Sequence, residues 1–252
     1  MSLLNKFENK YFVKGTLVAE SPLHIGAGND DFRATAVDAA VIRDENNNPY
    51  IPGTSLKGIL RSNIERIIAT GAIDTESYKY KACNILMQDE EKDESTENYL
   101  SHACVDNKFL KDIKEKYKGD SERIAEEIYK KQCDVCKLFG GHGFASRIQI
   151  GDAKAILKDG KKVHTQIRDG VAIDRDTLTQ RNGAKYTYEQ VGAGTKFNFS
   201  MTVENLEDEH KVLLGLIVNL LEKGELKIGG KTSAGLGIIK LIDSKIEVIN
   251  GK

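Results

Sequence analysis

Four cysteines are the residues whose spacing points most directly to metal chemistry. Cys133 and Cys136 are separated by two residues, the spacing that lets two thiolates reach one zinc ion. Cys83 and Cys104 precede them in the same charged stretch, so the four cysteines predict one closed, structural Zn²⁺ site. His102 is an alternative fourth ligand. Incidental buried thiols are the other interpretation, whereas a redox CxxC usually needs a thioredoxin-like context.

A phosphate-binding pattern lies in residues 51–61, IPGTSLKGILR. After a glycine turn, Thr54 or Ser55 can cap a helix whose first N–H groups attract anions. Lys57 and Arg61 are four residues apart and share a helix face, and we expect both to point outward because the opposite apolar stripe packs on the core. The pattern predicts a site for a backbone phosphate near Lys57 and Arg61. An ordinary capped helix with solvated basic residues is the alternative.

A second glycine-rich segment, residues 229–237, has the sequence GGKTSAGLG. Its glycines let backbone N–H groups approach phosphates, and Lys231, Thr232 and Ser233 add an ammonium group and two hydroxyls. These three residues are therefore predicted to bind RNA, with a plain flexible hairpin as the alternative. The segment lacks the GxxxxGK[ST] arrangement, which argues against a nucleotide-hydrolysing phosphate loop.

One carboxylate stands among apolar neighbours in the segment TAVDAAVIRD. An unpaired Asp38 there is costly unless it faces solvent, a cation or a partner, so it is a candidate site residue. Asp30, Asp31 and Asp44 compete with it, and an aspartate at a strand edge is often only a turn former. His24 can act as an acid or base, although a lone histidine beside apolar residues is more often structural.

These residues must be positioned by a mixture of strands and helices. Alternating apolar residues predict strands, and apolar residues at helical spacing predict a helix after residue 51 and another near the C-terminus. The predicted strands lie at 11–20, 36–43, 147–157 and 195–203, and the second helix lies at 208–222. This order favours an α+β fold of the ferredoxin-like type. We expect a single domain over residues 1–252, with a zinc-binding insertion at 75–136 and a protruding hairpin at 161–194.

Composition limits the class of protein. With 252 residues and 40% hydrophobic content, the chain can bury a substantial core. It contains no apolar run long enough to cross a bilayer and no signal-peptide core, so we expect a cytoplasmic protein with no membrane partner. The net charge of −1 gives no global attraction to nucleic acid, so any RNA binding must be local.

Six motifs taken in order resemble the RAMP superfamily of CRISPR systems. The motifs are LHIGAG, VDAAVIRD, PYIPGTSLKGILRS, CDVCKLFG, FASRIQIGDA and GGKTSAGLG. The chain is most similar to the repeating backbone subunit of type III effector complexes, in the Csm-complex branch. It departs from the family pattern at Ala39 and Ala40, where relatives often carry a small residue followed by proline.

The resemblance implies a ferredoxin-like (RRM-like) core whose copies stack along a CRISPR guide RNA, together with other type III effector subunits. It implies that residues 161–194 are a thumb that disrupts guide–target pairing at regular intervals. Asp38 matches the aspartate with which catalytic relatives cleave complementary target RNA, using Mg²⁺ or another divalent ion. Ser55, Lys57 and Arg61 match the helix that grips the guide backbone.

Three other functions remain open. The chain can be a non-catalytic guide-RNA scaffold, in which Asp38 is inert. It can be a guide-processing endoribonuclease that uses a histidine such as His24 as a general base without metal. It can also be a zinc-stabilised protein-interaction module that binds no RNA.

Overall fold

A computed structural model describes residues 6–26, 39–85, 103–173, 175–176 and 179–251 of the chain. Its strands and helices are, in chain order, β1 (Asn9–Ala19), β2 (Tyr50–Ile51), α1 (Gly53–Ala69), α2 (Asn107–Lys116), α3 (Ser121–Lys131), α4 (Asp134–Phe139), β3 (Ile148–Ile150), β4 (Ala153–Lys154), β5 (Thr165–Ile173), β6 (Gln180–Val191), β7 (Lys196–Glu204), α5 (Lys211–Lys223), β8 (Leu226–Lys227) and β9 (Ile238–Asn250).

The central feature is an antiparallel sheet of five strands in the order β3-β7-β1-β9-β8. Strand β1 is its middle, and it pairs with β7 on one side and with β9 on the other along most of its length. The elements β1, α1, β3, β7, α5 and β9 follow the βαββαβ order. The predicted α+β class is therefore confirmed, and the topology is consistent with a ferredoxin-like core.

The core forms because the sheet and both long helices have one apolar face. In β7, every second side chain is buried, as the alternation in sequence predicted. Helix α1 buries a stripe at helical spacing, and α5 does the same. The residues of these three faces that join the one hydrophobic core are Phe197, Phe199, Met201, Val203, Leu56, Leu60, Ile64, Ile68, Leu213, Ile217 and Leu221.

Two predicted strands differ in the structure. The strand predicted at 147–157 is divided into β3, which pairs with β7, and β4, which pairs with β2. The break falls at Gly151 and Asp152, where the Asp152 side chain accepts a hydrogen bond from the Gly53 N–H across 2.8 Å. Of the strand predicted at 36–43, residues 36–38 lie outside the described part, and residues 39–43 make only isolated bridges.

The two predicted insertions contain distinct structures. Helices α2, α3 and α4 lie within or at the end of residues 75–136, and β5 and β6 form a two-stranded antiparallel hairpin within residues 161–194. The roles of these regions as a zinc-binding subdomain and a thumb stay predictions. Among the described residues, no helix combines the length and apolar character that a bilayer crossing requires.

Candidate nucleic-acid interface

Helix α1 begins with a tertiary contact and not with a side-chain cap of its own. Its N-cap residue is Pro52, and no local side chain caps the helix, so the predicted capping by Thr54 or Ser55 is wrong. The carboxylate of Asp152 takes the Gly53 N–H instead. A side chain at Gly53 would place its Cβ 2.1 Å from the Ile150 carbonyl oxygen, so only glycine allows this close approach. The hydroxyl of Ser55 is thereby left out of the cap.

An open groove lies between one face of α1 and the glycine-rich segment near the C-terminus. Its volume is about 330 Å³. The lining residues are Ser55, Gly58, Ile59 and Ser62 on the helix and Lys227, Ile228, Gly229 and Thr232 on the opposite wall. Residues 55 and 232 were both predicted from sequence to bind RNA, and the structure brings them to the same groove. Sequence reasoning missed Lys227, which belongs to no recognisable motif, and Ser62, which ends the motif PYIPGTSLKGILRS but was given no role.

The three residues of α1 that were predicted to bind RNA do not lie on one side of the helix. Each residue advances about 100° around a helix, so Ser55 and Lys57 point in directions about 200° apart. Ser55 lines the groove, whereas Lys57 lies on the side of Arg61 and is absent from the groove lining. Partial burial, and then the nearby charge of Arg61, lowers the pKa of Lys57. Ser55, Lys57 and Arg61 therefore do not form one phosphate site.

Arg61 corrects the prediction that both basic residues point to solvent. Its side chain is only 15% exposed, and its Nε donates to Glu65 Oε1 across 2.7 Å. One terminal nitrogen donates to the Gly140 carbonyl oxygen at 2.7 Å, and the other lies 3.2 Å from Cys136 Sγ. Three internal acceptors therefore hold this guanidinium, because the packing of α1 on the core places residue 61 at the junction with α4.

The four cysteines predicted to bind zinc come together. The Sγ atoms of Cys83, Cys104, Cys133 and Cys136 all lie within 4.8 Å of one another, and three of these residues are buried. In a tetrahedral Zn²⁺ site with Zn–S bonds near 2.3 Å, the sulfur atoms are about 3.8 Å apart, so this cluster fits such an ion. Hydrogen bonds from the neighbouring thiols lower the pKa of Cys104. The alternative ligand His102 lies outside the described residues.

A buried acidic residue anchors the cysteine cluster to the rest of the fold. Asp134 accepts hydrogen bonds from the Tyr78 hydroxyl at 2.6 Å and from the Lys81 N–H at 2.7 Å. Its carboxylate also lies 2.9 Å from Nε2 of the fully buried His210, just before α5. Burial raises the pKa of Asp134, but the bonds to His210, Tyr78 and Lys81 outweigh burial and lower it. Sequence reasoning missed this residue, because aspartate is unremarkable between two cysteines.

Of the other candidate site residues, the structure describes two and leaves three outside the described part of the chain. Asp38, Asp30 and Asp31 lie outside the described residues. Asp44 is a turn former, since its Oδ1 accepts the N–H groups of residues 46 and 48 at 3.0 and 2.9 Å. His24 is 7% exposed, and its Nδ1 lies 2.6 Å from the Glu189 carbonyl oxygen. His24 is therefore almost fully enclosed by the fold.

Ala39, next to Asp38 in the sequence, is fixed to the base of the β5–β6 hairpin. It bridges to Tyr188, and its carbonyl oxygen accepts the Glu189 N–H at 2.9 Å. The Glu189 carboxylate in turn accepts the Val41 N–H at 3.1 Å and pairs with Arg43. Burial raises the pKa of Glu189, but its hydrogen bonds and the charge of Arg43 outweigh burial and lower it. The chain after Asp38 is thus tied to the hairpin by backbone and side-chain contacts.

A family model described as the RAMP superfamily matches residues 16–240. The chain belongs to the RAMP superfamily. The matched residues of this RAMP chain include both walls of the groove, all four cysteines and the hairpin.

Two individual relatives are similar to this RAMP chain over nearly its whole length. A Mycobacterium tuberculosis protein named CRISPR system Cms endoribonuclease Csm3 is 36% identical over 264 residues, covering 96% of this RAMP chain and 90% of the relative. A protein of the same name from Methanocaldococcus jannaschii is 27% identical over 249 residues, covering 95% and 81% of the two chains. Identity at this level over nearly the whole length places this RAMP chain in the same family as these proteins.

Proposed function

We propose that this chain is a guide-RNA-binding backbone subunit of a type III CRISPR effector complex and that it cleaves complementary target RNA at regular intervals. The observation that carries the proposal is the 36% identity, over 96% of the chain, to a protein named as an endoribonuclease. The groove beside α1 supports it, because two residues predicted to bind RNA line opposite walls of one open channel. Copies of the chain stack along the guide and contact other type III subunits.

The groove supplies contacts for a sugar–phosphate backbone. Ser55 and Thr232 offer hydroxyl groups from its two walls, and Lys227 adds an exposed ammonium group. Gly58 has open space where a side chain would begin, so the backbone of α1 is accessible there. Contacts of this kind fix the register of an RNA strand without reading its sequence. Ser233, exposed and next to Thr232 in the chain, extends this set, while Lys57 contributes only from the other side of α1.

Cleavage is assigned to Asp38. The 2′-oxygen of a displaced nucleotide attacks the adjacent phosphorus, and the bond from phosphorus to the 5′-oxygen breaks. The products are a 2′,3′-cyclic phosphate and a 5′-hydroxyl. Asp38, directly or through a water molecule, orients the 2′-hydroxyl and accepts its proton, and water returns a proton to the leaving oxygen. The hydrogen bond between Ala39 and Glu189 supports this role, because it fixes the chain next to the carboxylate.

Two metal ions have different roles in the proposal. The four clustered cysteines hold a structural Zn²⁺ that stabilises residues 75–136. Mg²⁺ or another divalent ion, when bound, offsets the charge that develops on the phosphate. Within the part of the chain that the structure describes, the cysteines are the only cluster of three or more potential metal ligands. In the proposal, Asp38, RNA oxygens and water would hold the second ion.

The test is cleavage of an end-labelled complementary RNA by the complex reconstituted with guide RNA and Mg²⁺. Wild type is compared with Asp38→Asn at equal target binding, and a target with one deoxynucleotide at the cleavage position is the chemical control. Loss of all the regularly spaced products with Asp38→Asn, and loss of only the product cut at the deoxynucleotide with the modified target, support the mechanism. Target binding without cleavage by the wild type contradicts the nuclease and favours the scaffold function. Cutting of guide-repeat RNA without metal, or purification with no bound RNA, would favour one of the other two functions.

A further inference from the structure

The ammonium group of Lys231 contacts two tyrosine rings of the β5–β6 hairpin. Its Nζ lies 4.1 Å from the centre of the Tyr186 ring and 5.1 Å from that of Tyr188. The two rings are nearly parallel, with an interplanar angle of 29°. A cation within about 6 Å of an aromatic face is attracted by the ring quadrupole. Lys231 therefore connects the glycine-rich segment to the hairpin, although sequence reasoning had assigned it to a phosphate.

A glycine on the opposite strand of the hairpin holds the Tyr186 ring in position. Gly170 is the cross-strand partner of Tyr186 in the β5–β6 ladder. A Cβ atom on Gly170 would lie 2.2 Å from Cζ of the Tyr186 ring, so the ring covers the glycine and no larger residue fits beneath it. An aromatic ring over a cross-strand glycine covers strand backbone that would otherwise be exposed. The orientation that meets Lys231 thus depends on a glycine in the other strand.

The glycine-rich segment is fixed from its other side. The Gly230 N–H donates to the His24 carbonyl oxygen at 2.8 Å, and a Cβ on Gly229 would lie 2.3 Å from the same oxygen. The His24 ring packs edge-on against Tyr188, with centroids 5.7 Å apart. The residue after Lys231 is Thr232, which lines the groove. One short segment therefore contacts the hairpin base and forms a wall of the groove.

We propose that Lys231 is a positioning residue that clamps the base of the hairpin to the wall of the groove through Tyr186. The clamp sets where the hairpin meets the guide–target duplex relative to Asp38, because Ala39 is bonded to the same hairpin base. This inference rests on the proposed nuclease function. The clamp makes the spacing and rate of cleavage depend on Lys231 and Tyr186, whereas RNA affinity depends on the groove.

The first measurement is hydrogen exchange, followed by mass spectrometry, on the full-length protein without RNA. Lys231→Met removes the ammonium group from both rings, Tyr186→Leu removes the nearer of the two rings, and Gly170→Ala displaces the Tyr186 ring without changing either partner. We expect each variant to speed exchange at residues 186–191 by about 2- to 30-fold, the range of a cation–ring contact. The Lys231→Met/Tyr186→Leu double variant should add little to either single change. Lys231→Arg and Tyr186→Phe keep the contact and should exchange like wild type.

The second measurement is single-turnover cleavage by the reconstituted complex, with target binding measured in parallel. The clamp predicts lower rates and less regular cut positions in Lys231→Met, Tyr186→Leu and Gly170→Ala, with unchanged target affinity and with rescue in Lys231→Arg and Tyr186→Phe. Unchanged cleavage in Tyr186→Leu, together with weaker RNA binding in Lys231→Met, would overturn it and make Lys231 a phosphate ligand. Unchanged hydrogen exchange would also overturn it. A wild-type complex that cuts nothing refutes the proposed nuclease function. The hydrogen-exchange data still test the contact between Lys231 and Tyr186, because they are measured without RNA.

Discussion

The two sides of helix α1 carry polar residues predicted to bind RNA, but one side is enclosed by other parts of the protein and the other faces an open groove. On one side, Arg61 is enclosed by Glu65, the Gly140 carbonyl oxygen and the Cys136 sulfur. On the other side, Ser55 faces an open groove whose far wall includes Thr232. A basic residue on a helix face thus predicts a phosphate site only when no internal acceptor reaches it. The closed side stabilises the fold, and the open side is left for a ligand.

The largest effect should come from the cysteine cluster on the closed side. Cys133→Ser removes one of four thiols whose sulfur atoms lie within 4.8 Å of one another. If the cluster binds zinc, we expect the protein to lose its metal and more than about 3 kcal/mol of stability, because the ion organises the insertion. Elemental analysis and thermal unfolding check this. Full zinc content in the variant would contradict the assignment of Cys133 as a ligand.

The next effect separates Arg61 from Lys57. Arg61→Met leaves a partly buried carbonyl oxygen and Glu65 without their donor, so we expect a loss of about 2–4 kcal/mol in the free energy of unfolding. Lys57→Met, one helical turn earlier, should change stability by less than about 0.5 kcal/mol, because the charge of Lys57 is opposed by burial and by Arg61. Chemical denaturation measures both variants. Equal losses would remove the distinction between the two cations.

The open side should respond in RNA affinity and not in stability. Gly58 lines the groove, and apart from its chain neighbours and the nearby helix backbone no atom lies within 4 Å of the position that a Cβ would take there. Gly58→Glu therefore fits sterically but places a carboxylate among the proposed phosphate contacts. We expect guide-RNA affinity to fall about 10-fold or more, with a normal melting temperature.

Gly58→Ala is the matched control for this substitution. It should bind guide RNA like wild type and gain about 0.5–1 kcal/mol of stability through helix propensity. Binding titrations with guide RNA and thermal unfolding compare the two variants. Normal RNA binding by Gly58→Glu would exclude the groove from the interface.

The smallest effect concerns the pH dependence of the hairpin base. Since its contacts lower the pKa of Glu189, this group contributes stability that is present above the unfolded pKa near 4.3 and is lost as pH falls through the folded value. Thermal unfolding between about pH 6 and pH 3 should therefore decline less steeply in Glu189→Gln, which starts from lower stability at the upper end of this range. Parallel curves for the two proteins would show that Glu189 does not contribute to the acid sensitivity.

Several strands and helices were predicted correctly from local sequence patterns. The alternation in residues 196–204 and the apolar stripe of α1 appear in the structure, because side-chain period alone decides which residues share a face. The predicted strand at 147–157 failed at Asp152, whose side chain bonds α1 and not a neighbouring turn. The capping prediction failed for the same reason: the group that accepts the Gly53 N–H is distant in sequence.

The sequence by itself determined the α+β class, the apolar faces of the sheet and helices, the CxxC spacing and the order of motifs that resemble the RAMP superfamily. These follow from residue type and spacing within short segments. Only the tertiary structure decided that Arg61 meets Cys136, 75 residues away, that Lys231 meets the Tyr186 ring, and that Ser55 and Thr232 share a groove. Spacing sets the face on which a residue lies, but the partner on that face is set by how distant segments pack.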